Sequence, residues 1–391
     1  MRRARFTRPG ARRILRPAML LLIPGPVQTD PRTRAAMADD IAPWDLDVRP
    51  EVARLRERLR DVAGGVPGEH ATLPLQGAGH FIVEAAIRSF VPPGGRFVVP
   101  MNGAYAERLA RLAREAGRVP VPVPIPDTRP ATAEEVGEAL ERHPDATHLF
   151  VVQSETGSGI ANDPALLGPV ARALGRRMVV DSVSGFGALP LRLADHPECD
   201  AVVFTSNKCL EGMPGLGFAV ARVDSARAAV GRAGSWSFDL GDVLIHAERQ
   251  GWGSYRFTPP IQALRALNTA LDLYDAEGGQ PARLARYAAN RDVLWDGALA
   301  LGLAPYLERR HQGPIIANFH LPPPPFTLQG FVDALKRRGV LISNFSTTAG
   351  AETMRIGCIG AVTPADMRRA VAAMGEALAE ASGGGDVRRA A

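Results

Sequence analysis

Only two of the 46 Lys and Arg residues in this sequence are lysines, Lys208 and Lys336. Lys336 lies in Asp333–Gly339, the polar end of an amphipathic helical pattern, where a solvated charge is sufficient explanation. Lys208 is different. It follows the apolar run Ala201–Phe204 through Thr205, Ser206 and Asn207, and the glycines Gly212, Gly215 and Gly217 come soon after. An amine can lose its proton and condense with an aldehyde, whereas a guanidinium cannot. Lys208 is therefore expected to be an imine-forming lysine at the end of a buried strand.

The surrounding elements must bring partners to it. Apolar runs at 96–100, 147–153, 177–181, 200–204 and 217–222 alternate with helical patterns at 81–90, 103–116 and 163–175. Short strands alternating with helices predict an α/β fold with a mainly parallel sheet covered by helices. Ligands in such sheets bind beyond the carboxyl ends of the strands. Ser154, Asp181 and Lys208 all fall at strand ends, so one site can gather them. Past Gly278-Gly279, helices at 281–301, 327–338 and 363–382 with strands at 314–320, 340–342 and 354–360 predict a smaller C-terminal α+β domain.

These residue types fit pyridoxal 5'-phosphate. Lys208 would hold its aldehyde, and Asp181 would keep the pyridine nitrogen protonated so that the ring acts as an electron sink. The turn Gly77-Ala78-Gly79 before a helix offers N–H groups to a phosphate, with Ser206 and Asn207 nearby. Tyr105 in Asn102-Gly-Ala-Tyr105 is the candidate flat cover for the ring, and Ser154 or Thr156 the donor to its hydroxyl. Each feature alone has an ordinary structural explanation; their occurrence at successive strand ends carries the reading.

Composition agrees with a soluble enzyme. The chain is 46% hydrophobic and 22% charged, and much of its formal +5 charge comes from seven arginines within residues 1–18, which hold no acid. Nucleic-acid binding is not implied. Residues 1–18 are expected to be a disordered basic extension, 19–277 a large cofactor-binding domain, 278–382 a small domain and 383–391 a disordered tail. Leu20–Ile23 is too short to span a membrane. Cys199, Cys209 and Cys358 lack the spacing of a disulfide framework or a zinc site, so no metal and a cytoplasmic location are expected.

Leu22–Pro26, Gln76–Gly79, Asn102–Tyr105, Ser154–Thr156, Val180–Gly187, Ser206–Lys208, Arg256–Thr258 and Arg355–Gly357 together resemble the class V aminotransferases of fold type I. Within that family the Asn-Gly-Ala-Tyr, Ser-Asn-Lys-Cys and Arg-Phe-Thr motifs are most similar to the 2-aminoethylphosphonate–pyruvate transaminases. The resemblance runs from Leu20 to about Glu380. It implies a homodimer with shared active sites, in which Thr258 reaches the cofactor phosphate of the neighbouring subunit. It also implies that Arg355 binds the acidic group of the substrate, with Arg256 as a second anion ligand. The implied reaction moves the amino group of 2-aminoethylphosphonate to pyruvate, giving phosphonoacetaldehyde and L-alanine.

One stretch departs from the family pattern. A Tyr-Pro-Gly-Lys-like turn is expected before Arg-Ile-Gly, and this chain has Ile342-Ser-Asn-Phe-Ser-Thr-Thr348. A related aminophosphonate, or an alanine–glyoxylate or serine–pyruvate exchange, is the alternative. Cysteine desulfurases share the fold but need a stacking histidine and a mobile cysteine, whereas Tyr105 and the core-embedded Cys209 stand here.

Overall fold

A computed structural model describes residues 19–348 and 350–383; the expectations for residues 1–18 and for the tail beyond 383 lie outside them. The strands are β1 (Leu20–Leu22), β2 (His70–Gln76), β3 (Arg96–Met101), β4 (Val119–Pro124), β5 (Ala146–Val152), β6 (Ser154–Glu155), β7 (Ile160–Ala161), β8 (Arg177–Asp181), β9 (Cys199–Thr205), β10 (Leu216–Arg222), β11 (Ile316–His320), β12 (Val340–Ile342) and β13 (Thr353–Gly357). Seven of them form one sheet in the order β2-β10-β9-β8-β5-β3-β4. From β9 to β4 the neighbours run parallel, and β10 is antiparallel to both β9 and β2.

The central strands are buried on both faces, which explains their continuous apolar runs. In β9 the period of two is visible in the packing. Val202 and Phe204 enter one apolar cluster, and Ala201 and Val203 enter the cluster on the opposite face. Phe204 stacks on Phe186 with ring centroids 3.4 Å apart. Complete burial of such a side chain stabilises by about 1.5–3 kcal/mol, so the strand leading to Lys208 is firmly anchored.

Helices α1 (Pro31–Ala35), α2 (Arg49–Val62), α3 (Gly79–Phe90), α4 (Ala104–Glu115), α5 (Ala133–Arg142), α6 (Pro164–Ala173), α7 (Val223–Ala228), α8 (Leu240–Gln250) and α9 (Ile261–Glu277) precede Gly278. They are followed by α10 (Gly279–Ala300), α11 (Leu328–Arg337) and α12 (Pro364–Gly383). None of the described helices is long and apolar enough to cross a membrane.

Three features go beyond the sequence expectation. Strand β4 has proline at 120, 122 and 124, which argues against a strand, yet it is the outermost strand, where missing N–H groups cost no ladder bonds. Helix α5 starts on a capping box, Thr132 with Glu135, which satisfies two N-terminal N–H groups. Strand β1, grouped by sequence with the large unit, pairs in parallel with β12 instead. Leu20 and Leu22 are buried there with Trp295, Phe319 and Ile342. The N-terminal segment thus bridges the large sheet and the C-terminal unit.

Candidate active site

Lys208 sits in a turn just past the carboxyl end of β9. The turn is closed by backbone bonds from Glu211 to Lys208 and from Gly212 to Ser206. Glu211 adopts a left-handed φ of 57°, an unusual conformation for a residue with a side chain. Its carboxylate is held by Arg286 at 2.7 Å and by the Tyr287 hydroxyl at 2.7 Å, which offsets that cost. The Lys208 ammonium donates to the Pro24 carbonyl at 2.6 Å. Gly25, at φ 135°, passes so close that a Cβ there would overlap the lysine side chain. Burial, opposed by Cys209 and aided by the charges of Arg355 and Arg108, pushes the Lys208 ammonium down to about 8.

The lysine lines a cavity of about 280 Å³ together with Asp181, Tyr105, Asn207 and the start of α3. Asp181 ends β8 and accepts the Val183 N–H at 3.0 Å. Burial pushes its carboxyl up to about 6, opposed by that hydrogen bond and by Arg108. An anion confined in this way gains from any cationic partner that enters. Ala78 and Gly79 open α3 onto the same cavity without a side-chain cap, and the first N–H groups of a helix have no partner inside it. Thr205 also lines the cavity, its hydroxyl 2.8 Å from Asn207 Oδ1.

Two further groups were missed by sequence reasoning. Glu155 is fully buried and accepts N–H bonds from Tyr105 at 3.0 Å, Ala106 at 3.3 Å and Gly157 at 3.1 Å. It caps α4 from a distance and so fixes Tyr105; a Cβ on Gly103 would collide with it. Burial pushes its carboxyl up to about 7. Arg108, one turn further along α4, lays its guanidinium 4.8 Å over the Tyr105 ring and lines the cavity. The spacing of Tyr105 and Arg108, three apart on a helix, was the available signal.

Arg355, on β13, is 1% exposed. Its Nη1 donates to the Thr156 carbonyl at 2.8 Å and to Thr347 Oγ1 at 3.0 Å. Its Nε and Nη2 are buried with no hydrogen-bond partner among the described residues. Phe345 covers the guanidinium at 4.8 Å. Burial lowers its pKa, and the Tyr105 hydroxyl, within reach of the guanidinium but not aligned for a full hydrogen bond to Nε or Nη2, opposes the shift.

Other expected residues are placed less directly. Ser206 spends its hydroxyl on the Met213 carbonyl. Ser154 accepts Ser184 through its carbonyl, and Thr156 reaches Arg355 through its carbonyl rather than its hydroxyl. Gly77 is tied by its N–H to the Gly215 carbonyl at 2.9 Å. Arg256 is not brought to the cavity. Its guanidinium is committed to Asp242 at 2.9 Å and to the carbonyls of Trp236 and Ser237, because a buried guanidinium without a ligand takes the nearest acceptors. Thr258 is exposed and outside the cavity, with its carbonyl held by the Gln76 side chain. All three cysteines are buried free thiols, and burial pushes Cys209, beside the lysine, up to about 12. No mobile thiolate is available there.

The comparisons agree with this arrangement. Residues 48–342 match the model of the family described as aminotransferase class-V. A 2-aminoethylphosphonate–pyruvate transaminase of Burkholderia ambifaria is 42% identical over 363 residues, covering 93% of this chain and 96% of the relative. A transaminase of the same description from Pseudomonas fluorescens is 42% identical over 364 residues, covering 93% and 97%. Among solved structures, ureidoglycine–glyoxylate aminotransferase from Bacillus subtilis superposes with a TM-score of 0.85 at 20% identity, covering 95% of each chain, a likeness of fold alone. With the matched family model spanning most of the chain, the protein belongs to the class V aminotransferases.

Proposed function

We propose that this chain transfers the amino group of 2-aminoethylphosphonate to pyruvate, giving phosphonoacetaldehyde and L-alanine. The choice of substrate follows the relatives that share 42% of its residues. The observation in the chain that carries it is the pairing of a desolvated lysine with a buried arginine whose Nε and Nη2 lack partners. Such a fork suits a phosphonate or carboxylate held bidentately.

Class V aminotransferases use pyridoxal phosphate, and the residues present fit it. When bound, the cofactor supplies an aldehyde for amines and a cationic ring that takes up the electron pair released at the substrate carbon. Lys208 anchors the aldehyde. With the aldehyde held by the substrate amine instead, the Lys208 Nζ would be the base placed to take up and give back a proton at the substrate carbon. Asp181 would keep the ring nitrogen protonated. The start of α3 with Gly77, Ala78 and Gly79 would hold the phosphate, helped by Asn207, and Tyr105 would cover the ring. Ser154 or Thr156 would serve the ring hydroxyl. Arg355 binds the phosphonate of the amine donor and the carboxylate of pyruvate in turn. The chain acts as a homodimer, in which Thr258 completes the phosphate site of the neighbouring subunit; its exposure is consistent with that position.

The test is to supply the loaded enzyme with pyruvate and one amine at a time and to measure L-alanine formed. 2-Aminoethylphosphonate should exceed serine and glycine by about a hundredfold or more in kcat/KM, as expected when a bidentate charge-assisted contact decides between donors. If serine supports turnover and 2-aminoethylphosphonate does not, the aminophosphonate reading fails.

A further inference from the structure

A second cavity, of about 130 Å³, lies between α2, the end of β2, α8 and the loop 254–257, and shares no lining residue with the lysine cavity. Three polar atoms in its wall are buried without a hydrogen-bond partner among the described residues: Arg56 Nε, His246 Nε2 and Tyr255 OH. Arg56 is 3% exposed. Its Nη1 donates to the Trp252 carbonyl at 2.6 Å, and the rings of Trp252 and Tyr255 lie 5.8 and 5.7 Å from its guanidinium. No carboxylate among the described residues forms an ion pair with it, and the nearby Asp242 is taken by Arg256 at 2.9 Å. Arg283, on α10, shows how such a charge is compensated within the chain. It is 1% exposed and is paired with Glu277 at 2.7 Å and with Glu211 at 3.4 Å.

An uncompensated buried charge is costly, and so is each unpaired buried donor. Arg56 Nε–H and Tyr255 O–H are donors, and His246 Nε2 donates in one of its tautomers. A small acceptor-only anion answers all three and neutralises the guanidinium. A cation is repelled, and an apolar group leaves every atom unsatisfied. The volume suits a halide or a carboxylate of one or two carbons rather than an ion as large as the cofactor. We propose that this cavity binds a small monoanion on Arg56, His246 and Tyr255. The bound ion ties α2 and α8 to the loop that carries Thr258, and Gln76 joins that loop to the turn at Gly77. Binding itself does not depend on the transaminase reading; only the consequence for Thr258 does.

The experiment titrates enzyme loaded with pyridoxal phosphate with sodium bromide or sodium formate, at constant ionic strength held by sodium gluconate, and follows Tm. A saturable rise is expected with at least one of the two, and bromide or formate alone identifies the kind of ion. Tyr255→Phe should weaken half-saturation by about tenfold, the loss of one hydrogen bond to a charged group. Arg56→Met should abolish saturation; should that variant not fold, His246→Phe serves with Tyr255→Phe. Bromide should appear in the cavity by anomalous diffraction. Titrations unchanged by Tyr255→Phe, or a cavity that holds only ordered water in bromide- and formate-soaked crystals, would overturn the proposal.

Discussion

The lysine end and the arginine end of the site are built on different principles. Asp181 ends one strand of a seven-stranded sheet and Lys208 lies in the turn after the parallel strand beside it, and their contacts are supplied from within: Val183 N–H for one, the Pro24 carbonyl for the other. Burial weakens the charge of both. Arg355 stands on a two-stranded sheet beside the segment 343–348, with half of its fork satisfied and half left over. On the proposed function the first arrangement holds the cofactor and the second is finished by the substrate's own anion, which would put chemistry at one end and selection at the other.

Replacing Lys208 should produce the largest effect. Lys208→Ala removes both the anchor and the proton carrier, and L-alanine formation should fall by about four orders of magnitude or more. Lys208→Arg should fare no better, because a guanidinium stays charged. Both variants should lose the visible absorption of the loaded enzyme. Normal absorption and turnover in Lys208→Ala would remove the lysine from the mechanism altogether.

Arg355 should separate the two ends. With Arg355→Ala the loaded enzyme should keep its absorption, while kcat/KM for the anionic substrate falls about a hundred- to a thousandfold, the loss of two charge-assisted hydrogen bonds. Arg355→Lys keeps the charge but not the fork and should recover only part of the loss. If either change prevented cofactor loading instead, the division between chemistry and selection would collapse.

What the sequence made legible follows the same division. Lys208 and Asp181 were readable because apolar runs and a lone lysine mark strand ends directly. The arginine end was harder. Arg256 and Arg355 look alike as sequence, yet one is consumed by Asp242 and the other keeps free N–H groups, a difference set by partners over long range. Glu155 was quoted within a motif without a role, since its function is to cap a helix that begins fifty residues earlier. Strand β4 was hidden by its three prolines; the apolar run of β1 was legible, but its pairing with β12, some 320 residues away, was not.

Asp181 gives a smaller and opposite-looking effect. Its carboxyl titrates at about 6 in the fold against an ordinary value of 3.8, so the folded protein binds the extra proton between those values. Stability of the cofactor-free protein is therefore lowered above pH 6 and unaffected below about 3.8, by about 3 kcal/mol at neutral pH. Asp181→Asn should raise the stability of that form by up to about this amount at pH 7, read by urea denaturation, with the gain fading as pH falls. The same variant should lose turnover about a hundredfold or more, since the ring nitrogen loses its partner. A destabilised Asp181→Asn protein at pH 7 would show that the carboxylate is satisfied within the chain.

The last effect is a pH dependence that belongs to the lysine end alone. Lys208 must be neutral to attack the cofactor aldehyde, and its ammonium is pushed down to about 8 from an ordinary 10.5. Below pH 8 the neutral fraction falls tenfold for each unit, so uptake of pyridoxal phosphate by the cofactor-free protein should quicken tenfold per unit up to that point and then level. An exposed lysine would keep gaining until beyond pH 10. Arg355 contributes to the depression through its charge, so Arg355→Ala should move the break upward by a fraction of a unit while burial, the larger cause, holds the rest. Stopped-flow absorption across pH 6–10 on both proteins reads the two positions. A break near 10 in the parent would mean that the amine is solvated, and a break that moved all the way there in the variant would make the two ends a single electrostatic unit.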